Sequence, residues 1–300
     1  MQHPDNGVDI ESDSPTIDPT ARADYVAHGW WRERTLIDDL GDHAGSRGDK
    51  PAIIAHRAVD GTTTLTYAEL AATVDRYAAA LLDLGVRPGD IVSFQLPNWW
   101  QVSALHLAAG RIGAVTNAIL PILRHRELGF ILGRLRSTVF VTARTHNGFD
   151  YAAMAAEVAA GIDGLDHVFA IGPGPLPDGV ASFDAFFDDP AHAAAHPRAE
   201  LDRLRPDPDA ISQIQFTSGT TGEPKGVVHT WNTVYAGFMP SVVALGLTAD
   251  DVPLGFSPLA HTTGFYTAVS MPICLGQTVI LQDLWDPDVT LRLADEFGGT

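Results

Sequence analysis

The chain has 300 residues, 45% of them apolar and only 19% charged, which suits a globular protein with well-buried cores and excludes an intrinsically disordered one. Nineteen basic against 37 acidic residues give a formal charge of -18, and that balance argues against nonspecific binding to nucleic acid or to an anionic membrane surface. A local basic site for a nucleotide remains compatible with it, because net charge does not describe a cleft.

Residues 1–34 are expected to form a disordered or loosely docked tail. The first part is acidic and proline-rich, holds too little apolar surface to offset the entropy of ordering, and lacks the basic-then-apolar pattern of a signal peptide. Trp30 and Trp31 read as packing against the first domain. A short helix over 35–43 is entered through Thr35 as N-cap. Apolar stretches over 52–58 and 62–65 flank Asp60-Gly61, a hairpin signal. Thr66 and Glu69 have capping-box spacing and open a helix whose apolar face carries Leu70, Val74, Tyr77, Leu81 and Leu84, with Gly85 as its stop. Pro88-Gly89-Asp90 then turns the chain into a strand over 91–96.

From there strand and helix alternate. Helices are predicted over 99–111, 126–135 and 151–160, and strands over 114–117, 139–141 and 167–171. That rhythm implies a mainly parallel sheet covered on both faces. Trp99 and Trp100, at the start of the first of these helices, read as packing. His125 and Glu127 resemble a deaminase His-x-Glu, but the partner Pro-Cys-x-x-Cys is missing, so solvated helix ends explain them. Residues 172–179, with three prolines, read as a surface loop, and 188–208 as a polar connection. A strand over 211–216, a helix over 232–245, a strand over 278–281 and a helix over 288–297 come next. Cys274 lies in the apolar run 266–281. As the sole cysteine it excludes a disulfide framework or multi-cysteine zinc site within the chain, and it reads as a buried, inert thiol. That run is too short, and too broken by Pro272 and Gly276, to span a bilayer.

The most informative stretch is QFTSGTTGEPKGVVHT, from Gln215 to Thr230. Gly219, Gly222 and Gly226 allow close backbone approach to a ligand. Successive N–H groups in such turns can converge on an anion. Thr217, Ser218, Thr220 and Thr221 add hydroxyls, and Lys225 adds a compact positive charge behind the rigid Pro224. An apolar strand precedes the loop and apolar residues succeed it, which is how phosphate sites are usually mounted. The Walker pattern does not match, because Lys225 follows proline and precedes glycine. A Gly-x-Ser-x-Gly nucleophile elbow is also absent, so nothing supports a serine hydrolase.

The segment from Thr217 to Gly226 resembles the phosphate-loop signature of the adenylate-forming superfamily, which includes acyl-CoA synthetases, luciferases and peptide-synthetase adenylation domains. TLTYAELAATVDRYAAALLDLGVRPGDIVSFQLPN, from Thr64 to Asn98, is similar to its amino-terminal helix and first sheet strand. LHLAAGRIGAVTNAILPILRHREL resembles the next stretch in acyl-CoA synthetases. FSPLAHTTGF, from Phe256 to Phe265, looks like the next shared motif, beside the acyl pocket. Residues 117–128 and the Val228-His229-Thr230 continuation look most like ligases for medium-chain, aromatic or alicyclic acids, such as cyclohexanecarboxylate-CoA ligases. Later superfamily motifs, including those for adenine, ribose and the hinge, are not found here, so the chain resembles the amino-terminal portion of such an enzyme.

The resemblance implies an α/β fold of two lobes with mainly parallel sheets covered by helices, an incomplete form of the large amino-terminal domain. The lobes are expected at 35–190 and 209–300, joined by 191–208. The implied activity is ATP-dependent conversion of a carboxylic acid to acyl-adenylate and then to acyl-CoA. Loading of a carrier protein, or a nonenzymatic nucleotide-binding fragment, are the alternatives, and 300 residues alone are expected to form negligible thioester. Thr217, Ser218, Gly219, Thr220, Thr221, Gly222 and Lys225 would hold phosphate, with Thr221 also serving magnesium. Lys225 and His261 would be catalytic, and His261, Gly264 and Phe265 would meet the acid, with Trp231 and Phe238 as further pocket walls or plain core. ATP, magnesium and coenzyme A are the implied cofactors, a carboxy-terminal domain the missing partner, and the cytoplasm the expected location.

Overall fold

The computed structural model describes residues 18–217 and 224–300. The first element is helix α1 (Pro19–Ala27), capped by the Asp18 carboxylate, which accepts from the Thr20 and Ala21 N–H groups. Residues 18–34 are therefore more ordered than the tail expected from their composition. Arg22 forms ion pairs with Glu33 and Asp209, and the Arg32 backbone N–H donates to Asn232 Oδ1 at 2.9 Å. Trp31 is buried, whereas Trp30 remains 54% exposed and stacks on His28. The reason is partly long-range: Asp209 and Asn232 lie far along the chain, where local composition cannot reveal them.

Helix α2 (Leu36–Arg47) begins at Thr35, which forms a capping box with Asp38. Strands β1 (Pro51–Arg57) and β2 (Gly61–Thr66) pair antiparallel around the Asp60-Gly61 turn. Helix α3 (Tyr67–Asp83) carries the expected Thr66–Glu69 capping box and buries Leu70, Val74, Tyr77 and Leu81. Next come β3 (Ile91–Gln95), α4 (Gln101–Arg111), β4 (Val115–Ala118), α5 (His125–Leu135) and β5 (Val139–Ala143). Strands β3, β4 and β5 are buried along their whole length, as parallel strands covered on both faces must be. Helix α4 is buried on every side, with Gln101, Ser103, His106 and Arg111 among its buried residues.

A two-residue hairpin, β6 (Thr145–His146) and β7 (Phe149–Asp150), turns at Asn147-Gly148, both with positive φ. Helix α6 (Tyr151–Ala159), β8 (His167–Ile171), β9 (Ala181–Ser182) and helix α7 (Phe183–Phe187) come after it. The stretch read as a polar connection holds two short helices, α8 (Ala191–Ala195) and α9 (Arg198–Leu201). Strand β10 (Ile211–Thr217) pairs antiparallel with β11 (Lys225–Thr230), and α10 (Trp231–Leu245) continues from it. After β12 (Leu254–Gly255), the chain runs through α11 (Thr262–Phe265), a π-helical turn (Tyr266–Ser270) and α12 (Met271–Leu275). Strand β13 (Val279–Gln282) and α13 (Pro287–Phe297) complete the described elements.

Two sheets organise the α/β fold. The larger has the order β11-β10-β4-β3-β5-β8-β9, parallel except for the β10–β11 hairpin. The smaller has the order β12-β13-β1-β2, in which β1 runs parallel to β13, with Ile53 opposite Val279. Each sheet takes strands from both sides of 191–208, so sheets and sequence halves divide the chain differently.

Candidate functional site

A cavity of about 700 Å³ opens at the carboxyl ends of the adjacent parallel strands β4 and β10. That is where ligands sit in open α/β sheets, because loops leaving the strands diverge there. Leu120, Leu123 and Phe130 line it from the segment after β4 and from α5, Gln215, Phe216 and Thr217 from β10, and Pro224, Val227 and His229 from the other arm of the hairpin. Ala260, His261 and Thr262 close it from the start of α11. Phe130 and Phe216 meet edge to face at 6.5 Å and give one side an aromatic surface.

Thr217 and Lys225 are cross-strand partners, both exposed, with the Thr217 hydroxyl 3.5 Å from the Lys225 carbonyl oxygen. They anchor the two ends of the loop predicted to bind phosphate. Ser218, Gly219, Thr220, Thr221 and Gly222 lie outside the described residues, so the loop itself is represented by its anchors. Gly226 would bring a Cβ to 3.1 Å from Ile214, so the close hairpin favours glycine there.

His261 is the N-cap of α11, and its Nδ1 accepts from the Thr263 N–H at 3.3 Å. A neutral imidazole bonded in this way carries its proton on Nε2 and presents a donor. Gly264 lies behind the wall rather than on it. A Cβ there would collide with the Pro258 carbonyl oxygen and come within 2.6 Å of that of Ser257, so glycine is needed for α11 to pass over the 257–258 backbone. Phe265 is fully buried and sits edge-on to His106 at 4.8 Å. Trp231 also packs on His106, and Phe238 belongs to a separate cluster with Val234, Val242 and Met271. The structure thus brings Thr217 and His261 to one cavity with Lys225 beside it, and sets Gly264, Phe265, Trp231 and Phe238 away from its lining.

Several lining residues escaped the sequence reading. Glu127, read as a solvated helix end, reaches the cavity with Arg126, while His125 pairs with Glu157 at 2.9 Å. His229 is half-buried, and desolvation holds its imidazole below the ordinary value, favouring the neutral ring. Gln215 is 4% exposed; its Oε1 accepts from the Thr262 hydroxyl at 2.8 Å, while its Nε2 has no hydrogen-bond partner among the described residues. The signal available was period-two alternation, which puts Gln213, Gln215 and Thr217 on one face of a strand expected to be buried. His106 is a further buried titratable group, bonded to the Thr116 hydroxyl at 2.8 Å, with desolvation pushing it down to about 3. It remains neutral as part of the core beneath α11.

The arrangement resembles known enzymes along most of its length. The AMP-binding enzyme family matches residues 40–300. The chain is 34% identical over 239 residues to the 2-hydroxy-7-methoxy-5-methyl-1-naphthoate–CoA ligase of Streptomyces carzinostaticus, covering 80% of this chain and 42% of that one. It is 36% identical over 240 residues to the salicyl-AMP ligase / salicyl-S-ArCP synthetase of Mycobacterium tuberculosis, covering 80% and 40%. The apo structure of Mycobacterium smegmatis MbtA superposes with a TM-score of 0.75 at 29% identity, covering 96% of this chain and 51% of that one. The chain therefore spans about half the length, or less, of these three proteins. The match over 40–300 carries the family assignment, and the chain belongs to the AMP-binding enzymes.

Proposed function

We propose that the whole protein activates a carboxylic acid with ATP and passes the acyl group to coenzyme A. The observation that carries this reading is the cavity at the ends of β4 and β10, bounded on one side by the hairpin of Thr217 and Lys225 and on the other by His261. A carboxylate oxygen attacks the α-phosphorus of ATP, the bond to pyrophosphate breaks, and the acyl-adenylate forms. The thiol of coenzyme A then adds at the acyl carbon, loses its proton to solvent and displaces AMP. The first nucleophile is already an anion at neutral pH, so no general base is required. The task is to hold two anions together and offset the charge moving onto pyrophosphate.

Lys225 and the hydroxyls of Thr217, Ser218, Thr220 and Thr221 suit that task, with backbone N–H groups at Gly219 and Gly222. The Nε2–H of His261 is suited to meet an oxygen of the acid or its adenylate, with Gly264 and Phe265 supporting that histidine from behind. Among the described residues no group of three His, Cys, Asp or Glu side chains could hold a metal. A magnesium ion would arrive with the nucleotide, and the Thr221 hydroxyl would be its contact on the protein. Such an ion would neutralise phosphate charge. No helix among the described residues is long and apolar enough to cross a membrane. The proposed location is the cytoplasm, because the reaction draws on ATP and coenzyme A.

Carboxylate-dependent exchange of pyrophosphate into ATP by the whole protein tests the reading. Lys225→Ala should lower exchange by about 10- to 100-fold, the range for losing a hydrogen bond to a charged group. Unchanged exchange in that variant removes the role given to the hairpin. A second reading, delivery to a carrier protein, is favoured by the relative named for salicyl-S-ArCP synthesis. Direct detection of the thioester by mass spectrometry separates the two: acyl-CoA accumulates from the acid, ATP and coenzyme A only if coenzyme A is the acceptor.

A further inference from the structure

Besides the charged or titratable side chains of Arg126, Glu127, His229 and His261, the cavity lining carries a paired neutral polar contact where Gln215 and Thr262 meet. Strand alternation points Gln215 into the cavity from the same face as Thr217, two residues nearer the strand's start. The Thr262 hydroxyl donates to Gln215 Oε1 at 2.8 Å, which fixes the amide and turns its N–H groups away from the threonine. Those N–H groups have no partner among the described residues, although the side chain is more than nine-tenths buried. Buried amides without partners are rare, because their desolvation is uncompensated until something bonds to them. The lone pairs left on the Thr262 oxygen stand beside the same donor. Together they offer a donor and an acceptor in a lining that also holds the apolar side chains of Leu123, Phe130, Phe216 and Val227.

We propose that Gln215 is a specificity-determining residue of the acid pocket: its amide N–H binds the oxygen of a hydroxyl substituent on an aromatic carboxylic acid, and Thr262 holds the amide in place. This deepens the acid-activation reading and rests on it. Thr217 marks the phosphate end of the face, and Gln215 lies about 7 Å along the strand from it. A ring of benzoate size spans that interval, so its carboxylate can face the nucleotide while a ring hydroxyl meets Gln215. The rings of Phe130 and Phe216 supply apolar contact for such a ring. A saturated alkyl chain would leave the buried amide unsatisfied and be selected against.

Two measurements on the whole protein separate this proposal from the reading beneath it. Equilibrium binding of benzoate and of 2-, 3- and 4-hydroxybenzoate, followed by calorimetry, reads the pocket without requiring turnover. At least one hydroxybenzoate should bind about tenfold more tightly than benzoate, the size of one hydrogen bond to a buried donor. Gln215→Met, similar in length but unable to donate, should bring that ratio to within about threefold. Thr262→Val, at an exposed position, should lower the same ratio by releasing the amide. Equal binding of all four acids to the unmodified protein, or a ratio that survives Gln215→Met, overturns the proposal. Pyrophosphate exchange measured in parallel reports on the activity: discriminating binding without exchange with any acid leaves the Gln215 pocket standing and removes the activation reading.

Discussion

Asn98 lies three residues beyond β3 and commits its whole amide to one neighbouring segment. Its Nδ2 donates to the Gly255 and Ser257 carbonyl oxygens at 3.2 and 3.1 Å, and its Oδ1 accepts from the Leu259 N–H at 3.0 Å. That segment leads into His261, so a buried side chain outside the cavity sets where one of its walls begins. Asn98→Ala would strand two buried backbone groups, at Gly255 and Leu259, and one partly buried one at Ser257. We expect a loss of about 3 kcal/mol, read as a lower urea midpoint with unchanged slope. A change below about 0.5 kcal/mol would mean that the segment satisfies itself without Asn98. The sequence showed Asn98 only as the end of a stretch similar to acyl-CoA synthetases. Its partners lie more than 150 residues away, and hydrogen bonds at that range leave no local pattern. Gln215 was hidden for the same reason: residue type and alternation placed it in a buried strand, but its unpaired amide depends on Thr262, which comes from another element.

At the scale of elements, local chemistry was the better guide. Thr66 and Glu69 announced α3, and Asp60-Gly61 announced the β1–β2 turn, because caps and tight turns are decided by a few adjacent residues. Helix α8 left no such mark, since its alanines lie among prolines and acids, and it is held instead by a distant carboxylate. Asp83, at the end of α3, takes hydrogen bonds from His192 and from His196 Nε2, the latter at 2.9 Å, while His196 Nδ1 reaches Glu200 at 3.2 Å. The hydrogen bond from His192 leads in holding the Asp83 carboxyl below its ordinary 3.8, joined by His196 and opposed by desolvation. Desolvation pulls the His196 imidazole down, but the hydrogen bonds to Asp83 and Glu200 together outweigh it and raise the group above 6.5. The Asp83 contribution is present above 3.8 and lost as pH falls through its depressed value. The His196 contribution is present below 6.5 and lost as pH rises through its raised value. Amide protection across 186–201 should therefore be highest between these limits and decline on both sides. His196→Gln should remove the decline on the alkaline side while sparing the acid one, as hydrogen exchange over a pH series would show. An alkaline decline that persists in that variant would assign it to another group.

For the whole molecule, strand–helix alternation made the α/β class and the parallel sheet legible, since each βα unit buries its own apolar stripe. The pairing of distant strands was not legible, because any buried apolar strand can serve as partner to any other until the chain closes. The structure resolves this by interleaving. Strand β4 pairs with β10 through Thr116 and Gln213, and β1 pairs with β13 through Ile53, Ile54, Ala55 and His56. A cut within 191–208 would leave β4 and β1 each with an open edge, and would uncover Ile53, Ile54 and Ala55 in the shorter sheet. Neither 1–196 nor 197–300 should then unfold cooperatively alone, whereas mixing the two should restore a single transition and the near-ultraviolet signal of packed aromatic residues. A cooperative transition in the longer piece by itself would mean that the β3-β4-β5 core folds without β10. In that case the cavity would form by docking of a later segment onto a finished sheet. The cavity lies between β4 and β10, so the pairing that closes the larger sheet is also the one that creates the site. Recovery of ligand binding on mixing should therefore track recovery of the transition, with no binding-competent state in either piece.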